Sequence, residues 1–399
     1  MDMTIHQFSF PTRIQSGPGA VNLVAGALQE AGKKRPLVVT DKGLAPLAPV
    51  TATEKKLLDA GLDVSVFSGI WGNPVKSQVT AGVEAYRKHR ADCIVGLGGG
   101  AALDVAKAIL VLVNHPGDLF DYEDEKPGAR PLDREIPYWV SIPTTAGTGS
   151  EVGRSSVVSD DETHVKKIIF SPRLLAARCF LDPELTVGLP AGVTAATGMD
   201  ALTHLVESYL ARGVHPLCDG IALAGLQIVA KNLEPAVDYA RRIEAGERAL
   251  LGDAQHVAAR GEMLNAAMMG AVAFQKGLGV THSLAHALST VCDLHHGLAN
   301  GVAIPYAMTF NAEAEPGRTR LAELARLVRA EREDAAGFVA WLEALKARVG
   351  IPKTLGELGV KSEHLARLLE VAVADGCHAN NPRPVAKADF ERLFRTALG

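Results

Sequence analysis

The 399 residues of the chain exceed what one ordinary hydrophobic core accommodates, so two domains are expected. Apolar residues make up 47% and charged residues 22%, the balance of a soluble globular protein. A formal net charge of −4 argues against nucleic acid as a partner, because phosphate binding calls for a basic surface. No apolar run reaches the roughly 18 to 20 residues of a membrane span, which argues against a bilayer.

The opening residues 1–15 (MDMTIHQFSFPTRIQ) carry neither the basic start nor the apolar stretch of a secretory leader. The five cysteines, Cys93, Cys179, Cys218, Cys292 and Cys377, are scattered and odd in number and show no C-x-x-C spacing. They read as reduced thiols, and a cytoplasmic location is expected. Gly17-Pro18-Gly19 precedes any strong strand and reads as a simple turn.

Up to about residue 188, short β-rich runs alternate with helical stretches. The runs are residues 36–41 (PLVVTD), 63–68 (DVSVFS), 92–98 (DCIVGLG), 138–143 (YWVSIP) and 179–182 (CFLD). The segments Val50–Gly61 and Ser77–Arg90 are amphipathic and read as helices. Such alternation implies a mostly parallel sheet with helices on its faces. Residues 115–137, rich in Asp, Glu, Pro and Gly, read as an exposed loop. The segment 182–192 (DPELTVGLPAG) carries two prolines and two glycines and marks a domain boundary; helical periodicity alone continues from Val193 to the end. An α/β dinucleotide-binding domain over residues 1–188 and an all-helical domain over residues 189–399 are therefore expected, with ligands in the crevice between them.

Within the first half, residues 95–109 (VGLGGGAALDVAKAI) take a buried strand through Gly98, Gly99 and Gly100 into a helix. Successive glycines admit a phosphate close to the backbone, and the amides and dipole of a helix start favour its charge. Asp104 lies in the first turn of that helix and is taken as a cofactor-binding candidate, and Lys107 is placed to reach a phosphate or to tie down the loop. The spacing matches neither the six-residue dinucleotide fingerprint nor a Walker A loop, so a ligand-free tight turn is the competing reading. A second loop, residues 141–152 (SIPTTAGTGSEV), also follows a strand. It offers the hydroxyls of Thr144, Thr145 and Thr148, although such hydroxyls also cap helices and close turns. Two loops of this kind at strand ends suit a dinucleotide. Asp41, closing an early strand, can accept from a ribose 2′-hydroxyl and would repel a 2′-phosphate, which favours NAD(H) over NADP(H); a helix or turn cap is the other use for it.

In the second half, Asp200 and His204 stand four apart on one helical face, and His282 and His286 repeat that spacing. His295 and His296 follow, the latter just before Gly297. A lone histidine on an apolar face is usually a satisfied core residue. Two i, i+4 pairs plus a His-Gly turn favour a divalent metal. Carboxylate and imidazole donors without thiolate suit Fe(II), Zn(II), Mn(II) or Co(II).

At these residues the sequence closely resembles the iron-containing (group III) alcohol dehydrogenase family. The matching motifs are residues 98–107, 143–152, 182–186, 197–207, 277–286, 296–306 and Asn381-Pro382-Arg383, in the family's order over nearly the whole chain. The resemblance implies a Rossmann-like amino domain followed by an all-helical metal-binding carboxyl domain, the dehydroquinate synthase-like arrangement. It implies Asp200, His204, His282 and His296 as metal ligands, for Fe(II) or else Zn(II). His286 then lies near the nicotinamide without binding metal. It also implies Gly98 to Gly100 at the pyrophosphate, Thr144, Thr145 and Thr148 along the cofactor, Asp41 at the NAD-favouring position, and a homodimer.

Three positions depart from the family pattern: Ala101 replaces a serine after the glycines, His378 follows Cys377 where a threonine is common, and Gln275-Lys276 stands where an asparagine is common. The activity expected is hydride transfer between a small alcohol or aldehyde and NAD(H), with the metal as Lewis acid on the substrate oxygen and His286 as proton relay or as a group that orients the cofactor. Alternatives on the same scaffold are a polyol, glycerol or hydroxy-acid dehydrogenase, a maleylacetate-type reductase, or the cyclising synthase that uses NAD and zinc. A non-catalytic nucleotide-binding protein is the alternative of another class. Lys276 is the lone Lys or Arg close in sequence to the metal motifs, which favours an uncharged substrate; with Arg383 and His378 it leaves an anionic substrate open.

Overall fold

The computed structural model describes residue 10, residues 12–124 and residues 126–399. Most of the opening segment read above for a leader, residues 1–9 and 11, therefore lies outside the described residues. Contacts divide the chain into two compact units, one of residues 12–145 and 149–187, the other of residues 146–148 and 188–399.

Among the described residues, eight strands lie in the first unit: β1 (Arg13–Ser16), β2 (Pro36–Asp41), β3 (Ser65–Ile70), β4 (Cys93–Gly98), β5 (Tyr138–Pro143), β6 (Ser155–Ser159), β7 (Lys166–Phe170) and β8 (Arg178–Leu181). Its helices are α1 (Val24–Glu30), α2 (Ala48–Asp59), α3 (Lys76–His89) and α4 (Gly100–Asn114). Six strands form one parallel sheet in the order β1-β8-β5-β4-β2-β3. The side-chain period of two explains why β2 and β4 read as continuous apolar runs. Leu37, Val39 and Ile94 join the core under α3 and α4, whereas Val38, Val95 and Leu97 join the opposite core with Val24 and Leu57 of α1 and α2. The order reverses between β2 and β4, so Asp41 and the glycine run end up side by side at the carboxyl ends of neighbouring strands. That switch point is where open α/β sheets bind ligands.

Parallel pairing and the strands 36–41 and 138–143 follow the sequence expectation. The short strand β1, helix α1 and the antiparallel ribbon β6-β7 have no counterpart in it. Residues 115–137 are not simply an exposed loop: Leu119, Phe120 and Tyr122 are buried in the core under α4, which anchors the segment. Gly17 and Gly19 form a turn with positive φ, and the amides of Gly19 and Val21 donate to the Asp182 carboxylate.

The second unit is helical: α5 (Ala191–Leu210), α6 (Pro216–Glu244), α7 (Ala254–Ala273), α8 (Val280–Cys292), α9 (His296–Ala312), α10 (Gly317–Leu327), α11 (Ala335–Val349), α12 (Leu365–Ala374) and α13 (Lys387–Leu398). Helix α5 runs through its centre, packed by α6, α7 and α9 and buried along almost its whole length. A Cβ on Gly297 would lie 2.4 Å from the Ala196 carbonyl oxygen, so α9 can seat its first turn directly on α5 only because that residue is glycine. Among the described residues no helix is long and apolar enough to cross a membrane.

Candidate active site

A helix buried on all sides is expected to be apolar all round, yet α5 carries Asp200, His204 and Glu207, exposed by only 2%, 5% and 2%. Burying such groups is costly unless they are paired or hold a metal. Helix α8 brings His282 to the same place and α9 brings His296. The ligand atoms of Asp200, His282 and His296 lie within 4.8 Å of one another. His204 lies against this trio. Its ring stacks on that of His282 with centroids 4.7 Å apart and lies tilted against that of Phe274 at 5.1 Å. Its Nδ1 is buried without a hydrogen bond, and burial pushes its pKa down to about 4, which keeps the imidazole neutral as a metal ligand must be.

Glu207 fixes the tautomer of His282. A carboxylate only accepts, so the 2.7 Å contact from His282 Nδ1 to Glu207 Oε2 places the proton on Nδ1 and leaves the lone pair on Nε2. The same carboxylate accepts from the backbone amides of Gly279, Thr281 and His282, while Asn381 Oδ1 accepts from Val280. The first-turn amides of α8, which have no partner within the helix, are thus satisfied by two side chains from elsewhere. A Cβ on Gly279 would lie 2.8 Å from Glu207 Oε1 and 2.9 Å from Asn381 Oδ1, which explains a glycine there. Burial works against ionisation of Glu207, but His282 and the amides outweigh it and hold the carboxyl below its usual range.

Asn300, one turn beyond His296 on α9, points its amide into the middle of the trio. Nδ2 lies 2.8 Å from Asp200 Oδ1, 3.2 Å from His296 Nε2 and 3.4 Å from His282 Nε2. The amide donates to Asp200, and the two imidazole nitrogens lie within hydrogen-bond reach of the same Nδ2. With the unbonded nitrogen of His204 and donors of carboxylate and imidazole type, these residues fit a divalent cation.

His286 stands outside the trio, its ring stacked on His296 at 5.2 Å. Its Nδ1 donates to Asp375 Oδ2 at 2.7 Å, so Nε2 carries the lone pair. Asp375 also accepts from Ser283 Oγ and from the Cys377 amide, and the His378 amide donates to Ser283. Burial opposes the charge on Asp375, yet His286 and these donors hold its carboxyl well below the usual range. His378 turns its ring onto Phe390, and His295 caps α9 through its Nδ1. The two cations that left an anionic substrate open are engaged. Lys276 Nζ is buried against Asp219 and the Tyr209 carbonyl, and Arg383 lies over the Phe310 ring and pairs with Glu313.

In the first unit, Gly98 ends β4 with φ +154°, where a Cβ would meet Ala102 at 2.7 Å, and α4 begins two residues later. The Thr144 amide donates to the Gly98 carbonyl, and a Cβ on Gly99 would reach Thr145, so the two loops lie side by side. Asp41 Oδ1 accepts from the Leu44 amide. Asp104 and Lys107 face the polypeptide. The Asp104 carboxylate accepts from Ser150 Oγ and the Val157 amide, and buried Lys107 Nζ donates to Ser150 Oγ, the Ser155 carbonyl and Asp104. Of the two uses foreseen for Lys107, tying down the loop is the one found. Thr148 groups by its contacts with the helical unit.

Glu207 and Asn300 went unnoticed in the sequence although both share a helical face with expected ligands, seven residues after Asp200 and four after His296. Asp375 had no such signal, being 89 residues from its partner His286.

The profile of the iron-containing alcohol dehydrogenases matches residues 11–183, and that of the family's carboxyl-terminal part matches residues 194–398. The 4-hydroxybutyrate dehydrogenase of Cupriavidus necator is 38% identical over 97% of this chain and 98% of its own length. The NAD-dependent methanol dehydrogenase of Bacillus methanolicus is 33% identical over 98% and 99%. The crystal structure of a 1,3-propanediol oxidoreductase superposes with a TM-score of 0.90 at 34% identity, covering 99% of this chain and all of the other.

Proposed function

This chain belongs to the iron-containing alcohol dehydrogenase family and is accordingly a metal-dependent, nicotinamide-linked oxidoreductase of CH–OH donors; we propose that it interconverts a small uncharged alcohol and its aldehyde. The observation that carries this reading is the convergence of Asp200, His282 and His296 beside His204, with Glu207 directing His282 Nε2 inward. We assign these four as the metal ligands, for Fe(II); Zn(II) suits the same donors. When bound, the metal supplies Lewis acidity toward the substrate oxygen and the nicotinamide carries the hydride.

The chain's own residues do the rest. His286, oriented by Asp375 through Nδ1, takes the hydroxyl proton at Nε2 in oxidation and returns it in reduction. The amides of Gly98 to Gly100 and the amino end of α4 receive the pyrophosphate, and Thr144, Thr145 and Thr148 line the cofactor. Asp41, beside the glycine run, accepts from the ribose 2′-hydroxyl and repels a 2′-phosphate, so NAD(H) is preferred. Asp104 supports that loop from behind through Ser150 and Val157. None of the five cysteines forms a disulfide, which suits a reducing cytoplasm. A homodimer is proposed from the family.

Engagement of Lys276 and Arg383 within the helical unit favours an uncharged substrate. The likeness to 4-hydroxybutyrate dehydrogenase favours a second reading, an ω-hydroxy acid. Turnover on 1,3-propanediol and on 4-hydroxybutyrate, with each metal and with NAD+ and NADP+, separates the two. Asp41→Ser keeps an acceptor for Leu44 and is expected to raise relative use of NADP+. His282→Ala should lose metal and turnover together, whereas His286→Ala should keep its metal and slow by about 10²–10⁴-fold. Full turnover without metal overturns the proposal.

A further inference from the structure

Behind the catalytic histidine lies a group of side chains that the reaction does not need in full. His286, Asp375 and Cys377 each present one ligand atom, nitrogen, oxygen and sulfur, within 4.8 Å of one another. Two of them come from one short turn, in which the Cys377 amide bonds back to Asp375, and the third faces them from α8. The side chains of His286 and Asp375 are 19% and 17% exposed and Cys377 is half-buried, so an ion from solvent can reach all three. Four-coordinate zinc with bonds of about 2.0 to 2.3 Å sets its ligands roughly 3.3 to 3.8 Å apart. The 2.7 Å contact between His286 and Asp375 would open by about half an ångström, with solvent as fourth ligand.

The donors differ in kind from those of the principal site. Asp200 and the three imidazoles there offer only oxygen and nitrogen, whereas Cys377 adds a thiolate, which selects soft cations such as zinc, cadmium or cobalt. We propose that His286, Asp375 and Cys377 form a second, inhibitory site for a thiophilic divalent cation. Binding would release one proton to solvent, from the Cys377 thiol, and shift the His286 ring proton from Nδ1 to Nε2 as the cation takes Nδ1; Asp375 already accepts as a carboxylate, and no electron moves. With the cation on Nδ1, Nε2 carries the ring proton and has no lone pair to accept the proton of the substrate. This consequence rests on the role given to His286 above, but the site itself does not.

Titration of the iron-loaded enzyme with Co²⁺ tests it. One further equivalent should bind with the near-ultraviolet thiolate-to-cobalt charge-transfer absorption that an oxygen and nitrogen site cannot give, iron staying in place. Cys377→Ser should lose that absorption. Zn²⁺ should slow the wild-type enzyme with iron retained, and Cys377→Ser should tolerate about tenfold to a hundredfold more zinc. Absorption with unchanged turnover would uphold the site and overturn the proton-relay role of His286. Absence of the absorption, or its survival in Cys377→Ser with Cys292 beside His364 as its source, overturns the site. Inhibition that merely follows loss of iron and is equal in both proteins overturns it too.

Discussion

Replacing Glu207 by Gln and by Ala should weaken the metal site in graded steps. In the native protein Oε2 accepts from the amides of Gly279 and His282 and from His282 Nδ1, while Oε1 accepts from the Thr281 amide. A glutamine therefore turns its oxygen to the three-donor side and its NH2 to Thr281. His282 stays oriented, but one buried donor loses its partner and the negative charge behind the imidazole is gone. The lost bond costs about 1–3 kcal/mol of stability. The lost charge lowers ligand basicity and weakens metal binding about tenfold, some 1.4 kcal/mol. Alanine removes every acceptor. His282 is then free to carry its proton on Nε2, the atom that must meet the metal, and the loss grows to about a hundredfold, roughly 2.7 kcal/mol. Metal affinity from chelator competition and stability from urea unfolding of the metal-free proteins read the two effects separately. Native affinity in Glu207→Ala, or a glutamine variant weaker than the alanine, would refute the reasoning.

Asp375→Asn should keep metal content and KM near native while kcat falls about a hundredfold, because Asp375 acts through His286 and not on the metal; loss of metal would show a structural role instead. Asn300→Leu removes the amide that three acceptors share, so the metal-free protein should lose about 1–3 kcal/mol and the loaded one less, read as a wider gap between the two melting temperatures. Buried Glu151 has its pKa raised to about 7 by desolvation, above the unfolded value of 4.5. The folded state then holds a proton that the unfolded chain gives up, so the contribution of Glu151 to stability is greatest below about pH 4.5 and falls as pH rises toward 7. The full fall is about 3 kcal/mol, from 1.36 kcal/mol per unit. Glu151→Gln should remove that slope, and urea denaturation of both proteins near pH 5.5 and pH 8 measures it; parallel slopes would contradict it.

Much of the molecule is decided by local pattern. Alternation of buried runs with amphipathic segments fixes a parallel sheet, because each strand must bury both faces and each crossover must return over the sheet. Three glycines after a strand fix a tight turn into a helix, and i, i+4 spacing puts Asp200 with His204 and His282 with His286 on shared faces. That spacing admitted His286 as readily as His282 to the metal; family resemblance alone separated them.

Periodicity says which residues share a face and nothing about what the face meets. Tertiary packing chose Glu207 to close the amino end of α8, set the Asn300 amide among the donors, and brought Asp375 to His286. It also turned Asp104 and Lys107 toward Ser150 and Lys276 toward Asp219, so that charged residues beside the motifs serve the protein's interior. Donor types and their rough grouping are properties of the sequence. Which nitrogen of His282 and of His286 is left for chemistry depends on a carboxylate supplied from a distant part of the chain, and folding decides that.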